Sequence, residues 1–211
     1  MASKEKIIKG YIEFQLLNGR KPYSVFELTK KLKVEESAFY ELFPSLEKLQ
    51  QSIPLASLHN ALHRLEEDEQ YPTFSAREKL LSLFFTLFEE LKEQRSFYLF
   101  NYTDIQNVAA QSKDWKPFLV KLQEEVDSLL SEAKQQDEIK DRAFIGEHYA
   151  KGYKLIFTYI FRVWLKDESS EYSTTDAAIE KAINLSFDLL GSNQFDSILD
   201  FGKFAFKTKV M

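Results

Sequence analysis

The chain has 211 residues, and 28 Lys plus Arg against 33 Asp plus Glu give a formal net charge of −5. The absence of Cys excludes disulfide scaffolds, Cys-ligated zinc or iron–sulfur sites, and thiol nucleophiles. Only 6 Gly and 5 Pro exclude collagen-like and low-complexity chains, while 44% apolar residues, 19 Phe and 10 Tyr supply a real core.

Taken in chain order, helical periodicity dominates and no segment shows sustained strand alternation. The first stripe, Ile7, Ile8, Tyr11, Ile12, Phe14 and Leu16–Leu17, ends at Asn18-Gly19. A second begins at Ser24, whose capping-box partner is Glu27, and runs through Val25, Leu28 and Leu32. A third spans 35–43, with Ala38, Phe39 and Leu42 available for packing. Two short helices joined at Lys33-Val34 have the proportions of a helix-turn-helix, whose third helix would enter a DNA major groove.

Beyond this head, Ser75 with Glu78 opens a helix carrying Leu80, Leu81, Phe84, Phe85, Leu87, Phe88 and Leu91. Pro117 suits the first turn of a helix carrying Phe118, Leu122, Val126 and Leu130. A long helix over 143–165 follows, then a solvated linker over 166–171. Ser173 with Asp176 caps the next helix, which stops at Gly191, and a short helix over 195–206 closes the chain. The expected fold is all-α, with nine or ten helices. Scarce glycine argues against a sheet in spite of the aromatic content.

No secretion signal or membrane span is visible: the apolar runs 80–88 and 155–161 fall well short of the ~20 residues a bilayer needs. A cytoplasmic protein is expected. His59 and His63 stand at i, i+4 with Glu66 and Glu67 a turn later, but no Glu follows the first His as in a zincin. No metal or cofactor site is assigned. Phosphate loops, nucleophile elbows and paired catalytic carboxylates are also missing, so an enzyme is not expected.

The ordered set Ile7, Gly19, Ser24-Val25, Leu28, Val34, Tyr40-x-x-Phe43-Pro44-Ser45, Glu47 and Leu49 resembles the TetR-like transcriptional regulators. The resemblance runs without a gap from Ile7 to Leu49. It implies a DNA-binding head over 1–49 and a helical domain over 50–211 that binds a small ligand and pairs two subunits. The homodimer would form through 143–165 and 175–190. Double-stranded DNA is the implied partner, contacted by Ser24, Lys33, Glu35, Glu36, Ser37, Tyr40 and Lys48. An apolar ligand pocket would be lined by Phe97, Phe100, Asn101, Trp115, His148, Tyr149 and Tyr153.

The departures are informative. Leu32 and Lys33 stand where such proteins usually have a small residue and Gly, and non-glycine there implies left-handed backbone strain. Leu42 and Leu46 replace the usual His and Lys. From Val34 to Phe43 there are three acids and no base, although residues 1–53 as a whole carry +2 and the remainder −7. Glu35 and Glu36 are explained by the dipole at a solvated helix start, by acceptance from cytosine N4, or by a lost DNA function. The alternative to a regulator is therefore a ligand- or lipid-binding protein of the same fold that no longer binds DNA.

Overall fold

The apolar stripes of the sequence form nine α-helices among the described residues, and no strand accompanies them. A computed structural model describes residues 3–102, 108–139 and 146–191, apart from the side chains of 108–112, 146–151 and 191. The helices are α1 (Lys4–Asn18), α2 (Val25–Leu32), α3 (Glu36–Tyr40), α4 (Leu46–Glu66), α5 (Ala76–Lys92), α6 (Arg95–Tyr102), α7 (Val108–Gln135), α8 (Gly146–Leu165) and α9 (Ser173–Gly191). Single 3-10 turns, Tyr71–Thr73 and Ser170–Tyr172, precede α5 and α9. The expected helix over 195–206 lies outside the described residues.

The chain divides into two compact units. One comprises Met1–Arg64 and Thr86–Leu122, the other Leu65–Phe85 and Gln123–Met211.

In the first unit, Ser3 caps α1 by accepting from the Lys6 amide, and the helix ends at Gly19 in the left-handed region. There φ is 64°, which glycine adopts without a Cβ penalty, and its N–H closes on the Gln15 carbonyl at 2.9 Å. Ile7, Tyr11 and Phe14 bury the inner face of α1, and Leu28 that of α2. Each such apolar side chain is worth about 1.5–3 kcal/mol. Leu32, the large residue at the end of α2, lies directly over Gly10, where an added Cβ would overlap its side chain. The missing side chain on α1 thus makes room for the oversized one on α2.

The second unit opens at the N-terminus of α5, where the expected capping box forms. Ser75 Oγ accepts from the Glu78 amide at 3.3 Å, and Glu78 accepts from the Ser75 amide at 2.8 Å. The two remaining amides donate to Glu138, Ala76 at 2.8 Å and Arg77 at 3.3 Å, so a residue distant in the chain completes the cap. Lys79 is buried with its ammonium 2.5 Å from Glu132. Tyr153 on α8 meets Ser186 on α9 at 2.6 Å, and Phe157, Ile160 and Trp164 on the one helix and Ile179, Ile183 and Phe187 on the other are buried.

Two expectations are corrected. Helix α7 begins at Val108, with Pro117 inside it rather than in its first turn. Proline there removes an interior hydrogen bond and crowds the carbonyl one turn earlier, yet the helix runs on through it, with Trp115, Phe118 and Leu122 buried on either side. The segment 166–171 is not solvated throughout: Asp167 is only 6% exposed. Its carboxylate accepts from the Ser169 amide and hydroxyl at 2.9 and 2.5 Å, and from the Thr175 amide and hydroxyl at 2.8 and 2.5 Å. Periodicity cannot reveal such a group, since an acid in a polar run reads as surface.

Two outcomes follow from this packing. Gly10→Ala should destabilise the protein by about 1–3 kcal/mol through overpacking. Combined with Leu32→Ala, the loss in a urea-unfolding cycle should fall short of the sum of the single losses, and strict additivity would show that the two do not share that space. For Asp167, burial alone raises the carboxyl, but its four hydrogen bonds outweigh this and hold it down at about 2. A depressed folded value contributes stability in full above the unfolded pKa of roughly 4, lost as pH falls from there towards 2. Asp167→Asn should therefore be less stable than the wild type at pH 7, with the gap narrowing between pH 4 and pH 2. A gap independent of pH would mean that the ionised form is not what the site binds.

Candidate nucleic-acid interface

The head is organised around the start of α2. Ser24 is extended, and its Oγ accepts from the Glu27 amide at 3.1 Å. Glu27 does not complete the box at Ser24. Its carboxylate accepts from the Tyr23 amide at 2.7 Å and takes both arms of Arg20, at 2.6 and 3.1 Å. The Arg20 hydrogen bonds, ahead of the backbone one, hold the Glu27 carboxyl below its usual range. The Arg20 guanidinium also lies over the Tyr23 ring, 3.9 Å from its centre.

The turn between α2 and α3 rests on Lys33, at φ 53° and ψ 49°. The strain expected of a non-glycine residue is therefore present. The Val34 amide reaches back to the Thr29 carbonyl at 3.0 Å and closes the turn. Helix α3 is shorter than the 35–43 stripe suggests, five residues from Glu36 to Tyr40. Phe39 is its anchor, fully buried, 5.8 Å from the Phe43 ring and edge-on to Tyr40 at 5.5 Å. With that side inward, Glu35, Glu36, Ser37 and Tyr40 are exposed. Ser24 and Lys33 are exposed as well. Lys48, also exposed, lies at the start of α4, where its ammonium donates to Gln51 at 3.0 Å. Three acids, Glu35, Glu36 and Glu41, surround the short α3, so any phosphate attraction in the head must come from basic residues outside α3.

A buried polar cluster in the same unit has no counterpart in the sequence reading. Gln50 on α4 accepts from Tyr11 on α1 at 2.6 Å. Its amide nitrogen faces Tyr102 at 3.3 Å, Asp114 at 3.3 Å and Asn101 at 3.5 Å. Lys21, in the α1–α2 loop, stands 3.9 Å from Asp114. Burial pushes the Tyr11 and Tyr102 phenols well up, and the Asp114 charge adds to it, so both remain neutral donors at any ordinary pH. Gln15 is fully buried, and its Oε1 finds no hydrogen-bond partner among the described residues. These groups are scattered from Tyr11 to Asp114, and no spacing rule connects them.

Of the residues expected to line a ligand pocket, Phe97 and Trp115 are buried in the first unit. They belong to an aromatic cluster in which Tyr98 meets Phe97 at 5.3 Å and Trp115 at 5.8 Å, and Trp115 meets Phe118 at 5.1 Å. Asn101 is half-buried beside the polar cluster, and Phe100 is exposed. Tyr153 belongs to the second unit, near Phe84 at 6.4 Å. The side chains of His148 and Tyr149 lie outside the described residues. An open groove of about 910 Å³ in the first unit is floored by Ile8, Ile12, Leu16, Leu55, Ala56 and Phe97. His59 and His63 are exposed, and among the described residues no group of three or more acids and histidines is placed to hold a metal ion. No helix of the described residues is long and apolar enough to cross a membrane.

Residues 79–205 match a family model described as the tetracyclin repressor-like, C-terminal domain. No curated protein matches the chain. Among solved structures it is similar to a TetR family transcriptional regulator, PfmR, from Thermus thermophilus. That likeness has 15% identity over 90% of this chain and 96% of the other, with a TM-score of 0.47.

The geometry at Lys33 generates a test of the turn. Lys33→Gly should raise stability by about 1 kcal/mol by removing the left-handed penalty, whereas Lys33→Ala, which keeps the Cβ, should not. Urea unfolding of the two variants measures this, and a glycine variant less stable than wild type would refute strain at the turn.

Proposed function

Because the chain belongs to the tetracyclin repressor-like family, we propose that it is a homodimeric, DNA-binding transcriptional regulator of the cytoplasm. Residues 1–49 form its operator-binding head, and 50–211 bind a small effector and pair the subunits. The observation that carries this reading is the geometry of the head. A Ser24-capped α2, a tight left-handed turn at Lys33 and an α3 anchored by Phe39 place Glu36, Ser37 and Tyr40 on an exposed surface. In a helix-turn-helix that surface meets base edges, while the preceding helix crosses the backbone. Lys33 and Lys48 are the phosphate contacts in this reading, Ser24 and Tyr40 add hydrogen bonds, and Glu35, Glu36 and Ser37 face the groove.

Pairing is supported by the apolar side chains that α8 and α9 leave outward: Leu155 and Tyr159 at i, i+4 on one, and Leu185 on the other, are exposed. The effector proposed is a small apolar molecule taken up among the aromatic side chains of the central helices, with Phe97 and Trp115 as contacts. It can shift the protein between two states only by its differential affinity for them. No catalytic step is proposed.

A second reading has a specific observation in its favour. The exposed part of α3 carries acids and no base, as expected of a ligand-binding protein that has given up DNA. Selection of bound duplexes from a random pool at low salt, with the purified full chain, separates the two. Recovery of a palindromic site is the expected result, and recovery of nothing by a folded dimer would establish the second reading. On the recovered site, Lys33→Ala with Lys48→Ala should weaken binding to all sequences alike and reduce the salt slope by about two. An unchanged slope would remove both lysines from the interface.

A further inference from the structure

The charge of the head is divided between its two short helices. Residues 20–33 contain Arg20, Lys21, Lys30, Lys31 and Lys33 against Glu27 alone, a net of +4. Residues 34–47 contain four acids and no base, a net of −4. A polyanion is therefore drawn to the α2 segment and repelled from α3.

The outer face of α2 is also aromatic. Tyr23 is 83% exposed and Phe26 59% exposed, on either side of the Ser24 cap. Neither ring dangles. Arg20, itself fixed by Glu27, holds the Tyr23 ring at 3.9 Å, and the same carboxylate fixes the Tyr23 backbone. The Lys30 ammonium lies 5.7 Å from the Phe26 ring, one turn along the helix. The opposite face, with Val25, Leu28 and Thr29, is buried in the head, so the aromatic face is the one α2 presents to solvent. Two oriented rings among lysines form a surface that combines apolar contact with a positive field.

We infer that the Tyr23–Phe26–Lys30 face of α2 is the main grip of this protein on duplex DNA, contributing affinity that the acidic α3 does not. The inference rests on the DNA-binding reading above. On the duplex, Lys30 and Lys31 meet phosphates, while the two rings lie against deoxyribose and thymine methyl groups at the groove edge. An anionic bilayer also offers charge and apolar surface. It is the poorer fit: membrane binding scales with the apolar area inserted, and α2 is eight residues long with its larger apolar face already buried. Part of the affinity is then apolar and insensitive to salt, and only the lysine part is ionic.

The test uses the full-length protein and a mixed-sequence duplex of about 30 base pairs labelled with a fluorophore, titrated from low to moderate salt. Phe26→Ala and Tyr23→Ala should each weaken binding about tenfold while leaving the salt slope unchanged. Tyr23→Phe should restore binding at that position. Lys30→Ala with Lys31→Ala should weaken binding and lower the slope by about two. Because Tyr23→Ala also removes the Arg20 stack, thermal unfolding is recorded for each variant, and Phe26→Ala, which leaves the Arg20 stack intact and loses only the longer Lys30 contact, decides alone where Tyr23→Ala unfolds. If the wild type binds and Phe26→Ala binds equally well, the inference is overturned and the DNA-binding reading stands. If the folded wild type does not bind the duplex, both fall. Binding to phosphatidylserine vesicles that Phe26→Ala abolishes, with duplex affinity untouched, would overturn the inference in favour of a membrane surface.

Discussion

A buried amide must find partners for its two donors and its acceptor, and Gln50 finds them on three other helices. Its carbonyl takes the Tyr11 hydroxyl of α1, and its amide nitrogen faces Tyr102 of α6 and Asp114 of α7. Hydrogen bonds tolerate only a few tenths of an ångström, so this one side chain on α4 sets the spacing of four helices in the first unit. Apolar packing alone would leave that spacing looser, because Leu and Phe surfaces slide past one another without losing a directional contact. Asp114 completes the arrangement: its charge is half-enclosed, and Lys21, in the loop before α2, is the cation near it at 3.9 Å. The loop that leads into α2 is thereby held by an acid on α7.

The small size of the head explains much of its detail. Helices of eight and five residues are not stable in isolation, since nucleation costs more than so few hydrogen bonds return. They persist because each has an anchor and a defined start. For α2 these are Leu28 and the Ser24 cap. For α3 the anchor is Phe39, and the N-cap residue Glu35 just before it makes no side-chain cap, leaving the dipole to be met by the acids themselves. The presence of Glu35 and Glu36 therefore has a local structural reason that holds with or without DNA. The same acids make α3 itself a poor site for phosphates.

Much of this architecture is legible in the sequence, and the parts that are not share a cause. Periodicity identifies the helices because burial repeats at helical spacing, as at Leu80, Phe84, Leu87 and Leu91 on α5. Ser75–Glu78 and Gly19 are legible because capping chemistry is local. The turn strain at Lys33 is legible because a family with glycine there exposes the substitution. Missed were contacts between polar residues distant in the chain: Glu138 on the α5 cap, Gln50 with Asp114, and Asp167 beneath the start of α9. A buried carboxylate and a surface carboxylate look alike until the fold brings donors to one of them. Gly10 and Leu32 belong to the same class, since each is ordinary until the other is placed against it.

The Gln50 cluster also sets the cost of moving these helices apart. Any rearrangement that separates α4 from α6 and α7 breaks the bonds of Gln50 to Tyr102 and Asp114. Each net hydrogen bond is worth about 1 kcal/mol, and more where a charge such as that of Asp114 is left unpaired. A rearrangement of that kind therefore costs a few kcal/mol before any new contact forms, and anything that populated the rearranged state would have to prefer it by at least that margin. The Gln15 carbonyl, buried without a partner among the described residues, is a desolvation cost that this spacing of α1 and α4 carries. The cluster thus holds one spacing of four helices through directional bonds that apolar packing does not supply.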